Sequence, residues 1–338
     1  MQKTLSQIPV SVLDLATIVE GDTAADSFRK SRSLAQHTES LGYTRYWFAE
    51  HHNMESVASS ATSVLIGYIA EGTKKIRVGS GGVMLPNHAP LVIAEQFGTL
   101  ASIYPNRIDL GIGRAPGTDG VTSMALRRNM KGTIDEFPQD VIEVLNYLGP
   151  RDPAARVRAI PGEGTQVPVW LLGSSTYSAQ LAAILGLPFA FASHFAPTYL
   201  HEALQLYRAN FKPSQFLKEP YTLACVNVIA AEKEEDAEKM AASFRALILG
   251  LIRNMRRPLQ APEVATAEGP FSDAENAAIQ QMAHYSFVGN AEGVQKGLQT
   301  FLDQTGVDEI MVASHIYDHS AKLKSYELIA PFFKKRVD

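Results

Sequence analysis

The chain has 338 residues, of which 46% are hydrophobic and 20% charged, and its formal net charge is −4. This composition excludes global disorder, because it supplies enough apolar material for a large core. The lack of a basic excess argues against a nucleic-acid partner. A single cysteine excludes an internal disulfide, and no apolar run has the length of a membrane span, so we expect a cytoplasmic protein.

Short apolar runs rich in β-branched and aromatic residues alternate with helical patterns along the whole chain. Eight strands are predicted, in the stretches VSVLDLAT, YTRYWFAE, IRVGSGGVML, RIDLGIG, VPVWLLG, PFAFASH, YTLACVNVIA and DEIMVAS. The main predicted helices lie at 24–41, 59–70, 90–103, 178–185, 198–211, 232–254, 290–304 and 320–335. This α/β alternation predicts a TIM (β/α)8 barrel.

Two connections are longer than a barrel needs. The insertion after strand four, at 116–166, contains a predicted helix from Phe137 to Leu148, and the insertion after strand seven, at 255–284, is polar. Long loops in compact domains are often binding loops or lids. We therefore predict one domain over 1–338, with the second insertion as a lid over the carboxyl end of the barrel, where the active site of such a fold lies.

The stretch WFAEHHN ends the second predicted strand with a carboxylate and two adjacent histidines. Successive side chains of an extended segment point to opposite sides, so His51 and His52 do not readily bind one metal ion together, and no metal site is predicted. If Trp47 and Ala49 face inward, His51 faces the mouth of the barrel. We interpret His51 as a catalytic or ligand-contacting residue, with a purely structural pair of histidines as the alternative.

Two adjacent glycines, Gly81 and Gly82, stand late in the third strand, within GSGGVMLP. Glycine at such a position indicates either close approach of the backbone to a flat ligand or a plain β-bulge. Neither this stretch nor GIGRAPG matches the G-x-G-x-x-G dinucleotide motif, because no helix opens on it. A Rossmann dehydrogenase is therefore disfavoured.

A cluster of hydroxyls follows the fifth strand and leads into a helix, and it comprises Gly173, Ser174, Ser175, Tyr177 and Ser178. Free N–H groups at a helix start, together with hydroxyls, suit a phosphate, although Ser and Thr also serve there as simple N-caps. The Gly-Lys-Ser/Thr of a nucleoside triphosphatase is missing.

An arginine after strand four could add positive charge to the same rim. Arg114 could form two hydrogen bonds to a phosphate, or it could be a solvated ion-pair partner. Arg127 and Arg128 are further candidates for this charge, and the sequence does not choose among the three.

Taken together, these motifs resemble the bacterial luciferase-like family of flavin-dependent monooxygenases. The matching stretches are RYWFAEHHN, IRVGSGGVMLPNHAPLVIAEQFGTLASIYPNRIDLGIGRAPGTD, WLLGSSTYSAQLAAILGLPFAFASHF and DEIMVAS. The resemblance implies a TIM barrel that binds FMN, with the ring near the ends of strands two to four and the phosphate at the helix after strand five.

The resemblance also implies roles for single residues. His51 matches the histidine that transfers protons beside the flavin ring, and Gly81 and Gly82 match a pair against the ring that is joined by a cis peptide. The phosphate-contacting region corresponds to Arg114 and the cluster from Gly173 to Ser178. Where the light-emitting subunit has a reactive cysteine, this chain has Gly113, so light emission is not expected.

The implied reaction starts from reduced FMN and O2, which form a flavin C4a-hydroperoxide that gives one oxygen atom to a small organic substrate. A separate reductase would supply the reduced flavin, since the chain shows no nicotinamide motif, and a homodimer is expected. The alternatives are a deazaflavin-dependent dehydrogenase that transfers hydride on the same barrel and a flavin-binding protein without turnover. The motifs do not specify the substrate.

Overall fold

The computed structural model describes residues 3–115, 117–126, 136–267 and 271–334. Among these residues, eight parallel strands close into a barrel: β1 (Val10–Asp14), β2 (Arg45–Phe48), β3 (Arg77–Met84), β4 (Ile108–Gly113), β5 (Val169–Gly173), β6 (Phe189–Phe191), β7 (Thr222–Ala231) and β9 (Glu309–Ala313). Closure comes from the pairing of β6 with β7, of β7 with β9, and of β9 with β1. The predicted TIM barrel is confirmed.

Helices cover the outside of this barrel or lie in the two insertions. They are α1 (Ala24–Ser40), α2 (Thr62–Gly72), α3 (Pro90–Ile103), α4 (Gly120–Leu126), α5 (Phe137–Leu148), α6 (Thr176–Leu185), α7 (Leu200–Asn210), α8 (Glu234–Ile252), α9 (Pro262–Thr266), α10 (Asp273–Met282), α11 (Ala291–Thr305) and α12 (His319–Ile329). Those in the insertions are α4, α5, α9 and α10. No helix within the described ranges is long and apolar enough to cross a membrane.

The region after β7 differs from the prediction. An additional strand, β8 (Ser286–Asn290), pairs in parallel with the outer half of β7, whose inner half belongs to the barrel. The insertion before β8 contains α9 and α10. The sequence signal for β8 is weak, because the strand is short and most of its residues are only partly buried.

The predicted helix at 320–335 was also too long. The observed helix α12 ends at Ile329, two residues before Pro331, whose missing N–H interrupts a helix. Residue 335 lies outside the described ranges.

Strand alternation separates the main core from the inside of the barrel, and a third cluster forms around α8. Along β2 and the residue after it, Tyr46 and Phe48 face outward into the main core under the helices, whereas Trp47 and Ala49 face inward, which meets the condition for His51 to face the mouth. The Trp47 ring meets Trp170 of β5 edge to face, with 5.2 Å between centroids. The barrel is therefore filled with side chains, and ligands must bind beyond the strand ends.

A buried network of charges lies at the amino end of the barrel. The Asp109 carboxylate accepts hydrogen bonds from Arg45 (2.7 Å) and from Arg77 (2.6 and 2.9 Å), and Arg45 also pairs with Glu309 at 3.1 Å. Burial would raise the pKa of Asp109, but the two guanidinium groups outweigh it and hold that pKa below its ordinary value. These paired charges close the amino end, which leaves the carboxyl end for chemistry.

Candidate functional site

His51 lies just past the end of β2, and its ring is oriented by one hydrogen bond. The Nδ1–H donates to the backbone carbonyl of Gly117 at 3.2 Å. A carbonyl only accepts, so the proton of the neutral ring is on Nδ1 and Nε2 is the acceptor nitrogen. Burial lowers the pKa of His51, against the opposing effects of this hydrogen bond and of the Glu50 charge. The ring is therefore neutral near pH 7 and can take up a proton at Nε2.

Gly117, in the loop after β4, was not singled out from the sequence. Its φ is +64°, and a Cβ there would lie 2.9 Å from the carbonyl oxygen of Glu50. The same loop also holds His52, the residue after His51, because Thr118 Oγ1 donates to the His52 carbonyl at 3.0 Å. Gly117, within GRAPGTD, thus allows the β4 loop to pack closely on the segment that carries His51. This need for glycine follows from the positive φ and the close contact, and the sequence alone does not reveal it.

Glu50 is 1% exposed and is the centre of a second group of contacts. Its Oε1 accepts from Nε2 of His52 (2.9 Å) and of His88 (2.8 Å), and its Oε2 accepts from the Met84 N–H at 3.3 Å. Burial would raise the pKa of Glu50, but the two imidazoles outweigh it and lower it to about 2. His88 was not predicted from the sequence, where its one signal is a polar side chain soon after the end of a predicted strand.

The donor atoms of Glu50, His52 and His88 lie within 4.8 Å of one another, and they are of types that bind zinc or iron. Both histidines, however, already use Nε2 to hydrogen-bond to the carboxylate. The three residues form a satisfied hydrogen-bonded cluster. His51 and His52 have different partners, as strand alternation predicts for adjacent side chains.

The peptide bond between Gly81 and Gly82 is cis, which is what the family resemblance implies. The register between β3 and β4 also shifts at this point, so a bulge is present. A Cβ on Gly81 would lie 2.9 Å from the Leu13 side chain, and one on Gly82 would lie 2.7 Å from the Gly111 carbonyl oxygen. Close contact with the Gly111 backbone therefore requires a glycine at 82, whether or not a ligand lies against it, whereas at Gly81 the contact is with the end of a side chain that can shift.

The hydroxyl cluster lies where β5 passes into α6. Gly173 ends the strand, and Ser175 is the N-cap residue of the helix, yet its side chain makes no capping hydrogen bond. Ser174 and Ser175 are partly exposed, whereas Ser178 is buried. Simple capping therefore does not account for Ser175, and the helix start retains N–H groups that an anion can use.

Arg114 lies beside this helix start. Its guanidinium carbon is 4.0 Å from the centre of the Tyr177 ring, a cation–π contact. The structure thus brings two predicted phosphate ligands together from the ends of β4 and β5. The other candidates, Arg127 and Arg128, lie outside the described residues.

Two further histidines stand at strand ends around the mouth. His194 follows β6 and His315 follows β9, and among the described residues neither Nδ1 has a hydrogen-bond partner. Burial is the main cause that lowers the pKa of His194 to about 3 and that of His315 to about 4, and the neighbouring imidazoles of His315 and His51 lower the pKa of His194 further. His315 also stacks on Phe244 of α8, 5.5 Å away and nearly parallel. Imidazoles that stay neutral therefore surround the mouth.

Comparison with known proteins agrees with this geometry. The description of the luciferase-like monooxygenase family matches residues 8–309. A luciferase-like monooxygenase of Escherichia coli K12 is 55% identical over 95% of this chain and 96% of its own length. An N-acetyl-S-alkylcysteine monooxygenase of Bacillus subtilis is 39% identical over 71% of this chain and 73% of its own length.

The fold agrees as well. The crystal structure of apo-MsnO8 superposes with a TM-score of 0.91 at 36% identity, and the match covers 97% of this chain and 100% of that one. The barrel, the cis glycine pair and the match along nearly the whole sequence lead to one conclusion. The chain belongs to the luciferase-like family of flavin-dependent monooxygenases.

Proposed function

We propose that the chain uses reduced FMN and O2 to insert one oxygen atom into a small organic substrate at the carboxyl end of the barrel. One observation carries the proposal: a histidine fixed as a proton acceptor and a helix start suited to an anion lie at the ends of strands of the same barrel. Membership of a monooxygenase family supports this interpretation of the histidine and the helix start, because a monooxygenase must activate O2.

The residues present fit FMN. The uncapped Ser175, Ser174 and the Arg114–Tyr177 pair would hold the phosphate. The segment with Gly81 and Gly82 offers backbone without side chains, against which a flat ring could lie. When bound, reduced FMN would supply the electrons that activate O2.

His51 would manage protons in this site. Its Nε2 accepts a proton, and the Gly117 hydrogen bond keeps the ring in the orientation that presents this atom. Water would be excluded by the lid at 255–284, whose start contacts the first insertion through Arg256 and Asp119 at 3.3 Å.

Partners follow from the same proposal. The reduced flavin would come from a separate reductase, since the chain has no dinucleotide motif, and both proteins would work in the cytoplasm. A homodimer would form through α2 and α3, where large apolar side chains are exposed: Val64, Val92 and Ile103.

The test compares cofactors and variants. We expect the protein to bind reduced FMN and to couple O2 consumption to an oxygenated product with a panel of small organic substrates. His51→Gln should lower product formation about 100-fold, because one proton transfer is lost, while FMN affinity stays unchanged. Ser175→Ala should weaken FMN binding instead, and His37→Gln, in the last turn of α1, is the control.

Two results would refute the proposal. Hydride transfer supported by a reduced deazaflavin, without binding of reduced FMN, would assign the rival dehydrogenase activity. Tight FMN binding with only hydrogen peroxide release from every substrate tested would assign a flavin-binding protein without turnover.

A further inference from the structure

We infer that Glu50 is a positioning residue for His51, and that its hydrogen bonds to His52 and His88 tie the end of β2 to the end of β3. The inference deepens the proposed function, since it rests on His51 as the proton acceptor of that site.

The contacts fix the backbone on both sides of His51. Glu50 precedes His51 and is buried, and His52 follows it and donates to the Glu50 carboxylate at 2.9 Å. His51 itself donates to Gly117, in the β4 loop. One hydrogen bond therefore joins Glu50 to His52, and a second joins His51 to the β4 loop, which leaves the ring of His51 one supported orientation.

The same carboxylate reaches the strand that carries the glycine pair. Oε2 of Glu50 accepts from the Met84 N–H at 3.3 Å, two residues beyond Gly82, and Oε1 accepts from His88 at 2.8 Å. Movement of β3 would therefore pull on the His51 segment. The two parts of the predicted flavin site, the histidine and the glycine pair, are joined through one side chain.

Glu50 also acts on His51 through its charge. Of the charged groups that face His51 in the described part of the chain, Glu50 favours the protonated ring, whereas His52 and Arg256 oppose it. His194, from the end of β6, is a further imidazole within electrostatic range. The carboxylate therefore offsets part of the effect of burial and makes Nε2 a stronger base.

The test measures the pKa of His51 and does not depend on catalytic turnover. In the full-length, flavin-free protein, NMR titration of the imidazoles gives the pKa of His51, with its resonance assigned by loss in His51→Gln. Glu50→Gln should lower this pKa by about 1 unit, because the nearby negative charge is gone. Glu55→Gln removes an exposed carboxylate from the same loop and should leave the value unchanged.

Two variants of His88 test the same hydrogen bond in case Glu50→Gln does not fold. His88→Leu removes one donor to the carboxylate, whereas His88→Gln retains an N–H donor. With reduced FMN and O2, His88→Leu should lower kcat about tenfold without changing FMN affinity, and His88→Gln should restore most of it.

Several outcomes would overturn the inference. One is a folded Glu50→Gln protein with an unchanged His51 pKa, and another is a pair of His88 variants with equal kcat. Tight one-to-one binding of Zn²⁺, lost in both Glu50→Gln and His88→Leu, would assign a metal site to the cluster instead. If the pKa shift is found but wild-type protein fails to bind reduced FMN, the proposed function fails and the positioning role of Glu50 stands.

Discussion

The two ends of the barrel solve the problem of buried polar groups in opposite ways. At the amino end, the charges of Asp109 and Glu309 are each paired with arginine. At the carboxyl end, the imidazoles of His194 and His315 are neutral and leave Nδ1 without a partner among the described residues. The charges at the amino end are paired, whereas the carboxyl end, beside its paired Glu50 cluster, keeps polar atoms that a ligand or water can satisfy.

This difference separates stability from function. A buried charge network stabilises only while every member is present, because removal of one group leaves the others unpaired in a poorly solvated place. An unpaired buried nitrogen costs about 1–3 kcal/mol and persists where binding needs it. The amino end should therefore respond to mutation through folding, and the carboxyl end through ligand binding and pH.

The largest effect is expected at the amino end. Asp109→Asn leaves Arg45 and Arg77 without their shared countercharge and should lower the free energy of unfolding by about 3–5 kcal/mol. Urea denaturation followed by circular dichroism measures it. Glu327→Gln, which breaks the exposed pair with Lys324, is the matched control and should change stability by less than about 1 kcal/mol. Equal stability of the two variants would show that the buried network does not hold the amino end together.

The pH dependence of stability should reveal the buried neutral histidine at the carboxyl end of the barrel. The pKa of His315 falls from its ordinary 6.5 to about 4 in the folded protein, mainly through burial. Between these values the unfolded chain binds a proton that the folded protein does not, so stability falls as the pH drops through this window. The slope from this group is about 1.4 kcal/mol per pH unit, and above pH 6.5 the group contributes no slope.

The check is to repeat the unfolding measurement across that window for wild type and His315→Gln. The variant should lose less stability on acidification, with a difference that grows to about 3 kcal/mol at the acid limit. Asp109 behaves differently: its pKa lies below 3.8, so its contribution is present above that value and is lost only in stronger acid. Parallel curves for the two proteins would contradict a buried neutral His315.

The smallest effect tests the contact between the β4 loop and the His51 segment. Gly117→Ala places a Cβ at positive φ and 2.9 Å from the Glu50 carbonyl oxygen, and it should reduce stability by about 1–2 kcal/mol. Product formation should fall about tenfold, because the hydrogen bond that orients His51 is displaced. Gly120→Ala is the control, since a Cβ there meets nothing within 4 Å. If both variants keep full turnover, the loop does not position His51.

The sequence predicted what depends on periodicity and missed what depends on contact across the chain. The barrel, and the placement of Trp47 and Ala49 on one side of the chain, follow from local alternation. The β8 strand has only a short, half-exposed pattern, and its existence depends on the overhang of β7. His88 and Gly117 carry no motif of their own, because their importance lies in partners 38 and 66 residues away.

The length of β7 has a practical consequence for the second insertion. This strand is ten residues long, so its outer half extends past the barrel and pairs with β8. At the other end of the insertion, Leu259 exchanges backbone hydrogen bonds with the segment 18–20. The stretch between Leu259 and Ser286 is thus held at both ends by backbone hydrogen bonds, and between them Ile279 of α10 packs against α8. An exchange of this stretch between relatives must therefore keep both junctions and the side chains that face α8 if the strands that carry the candidate site are to stay as they are.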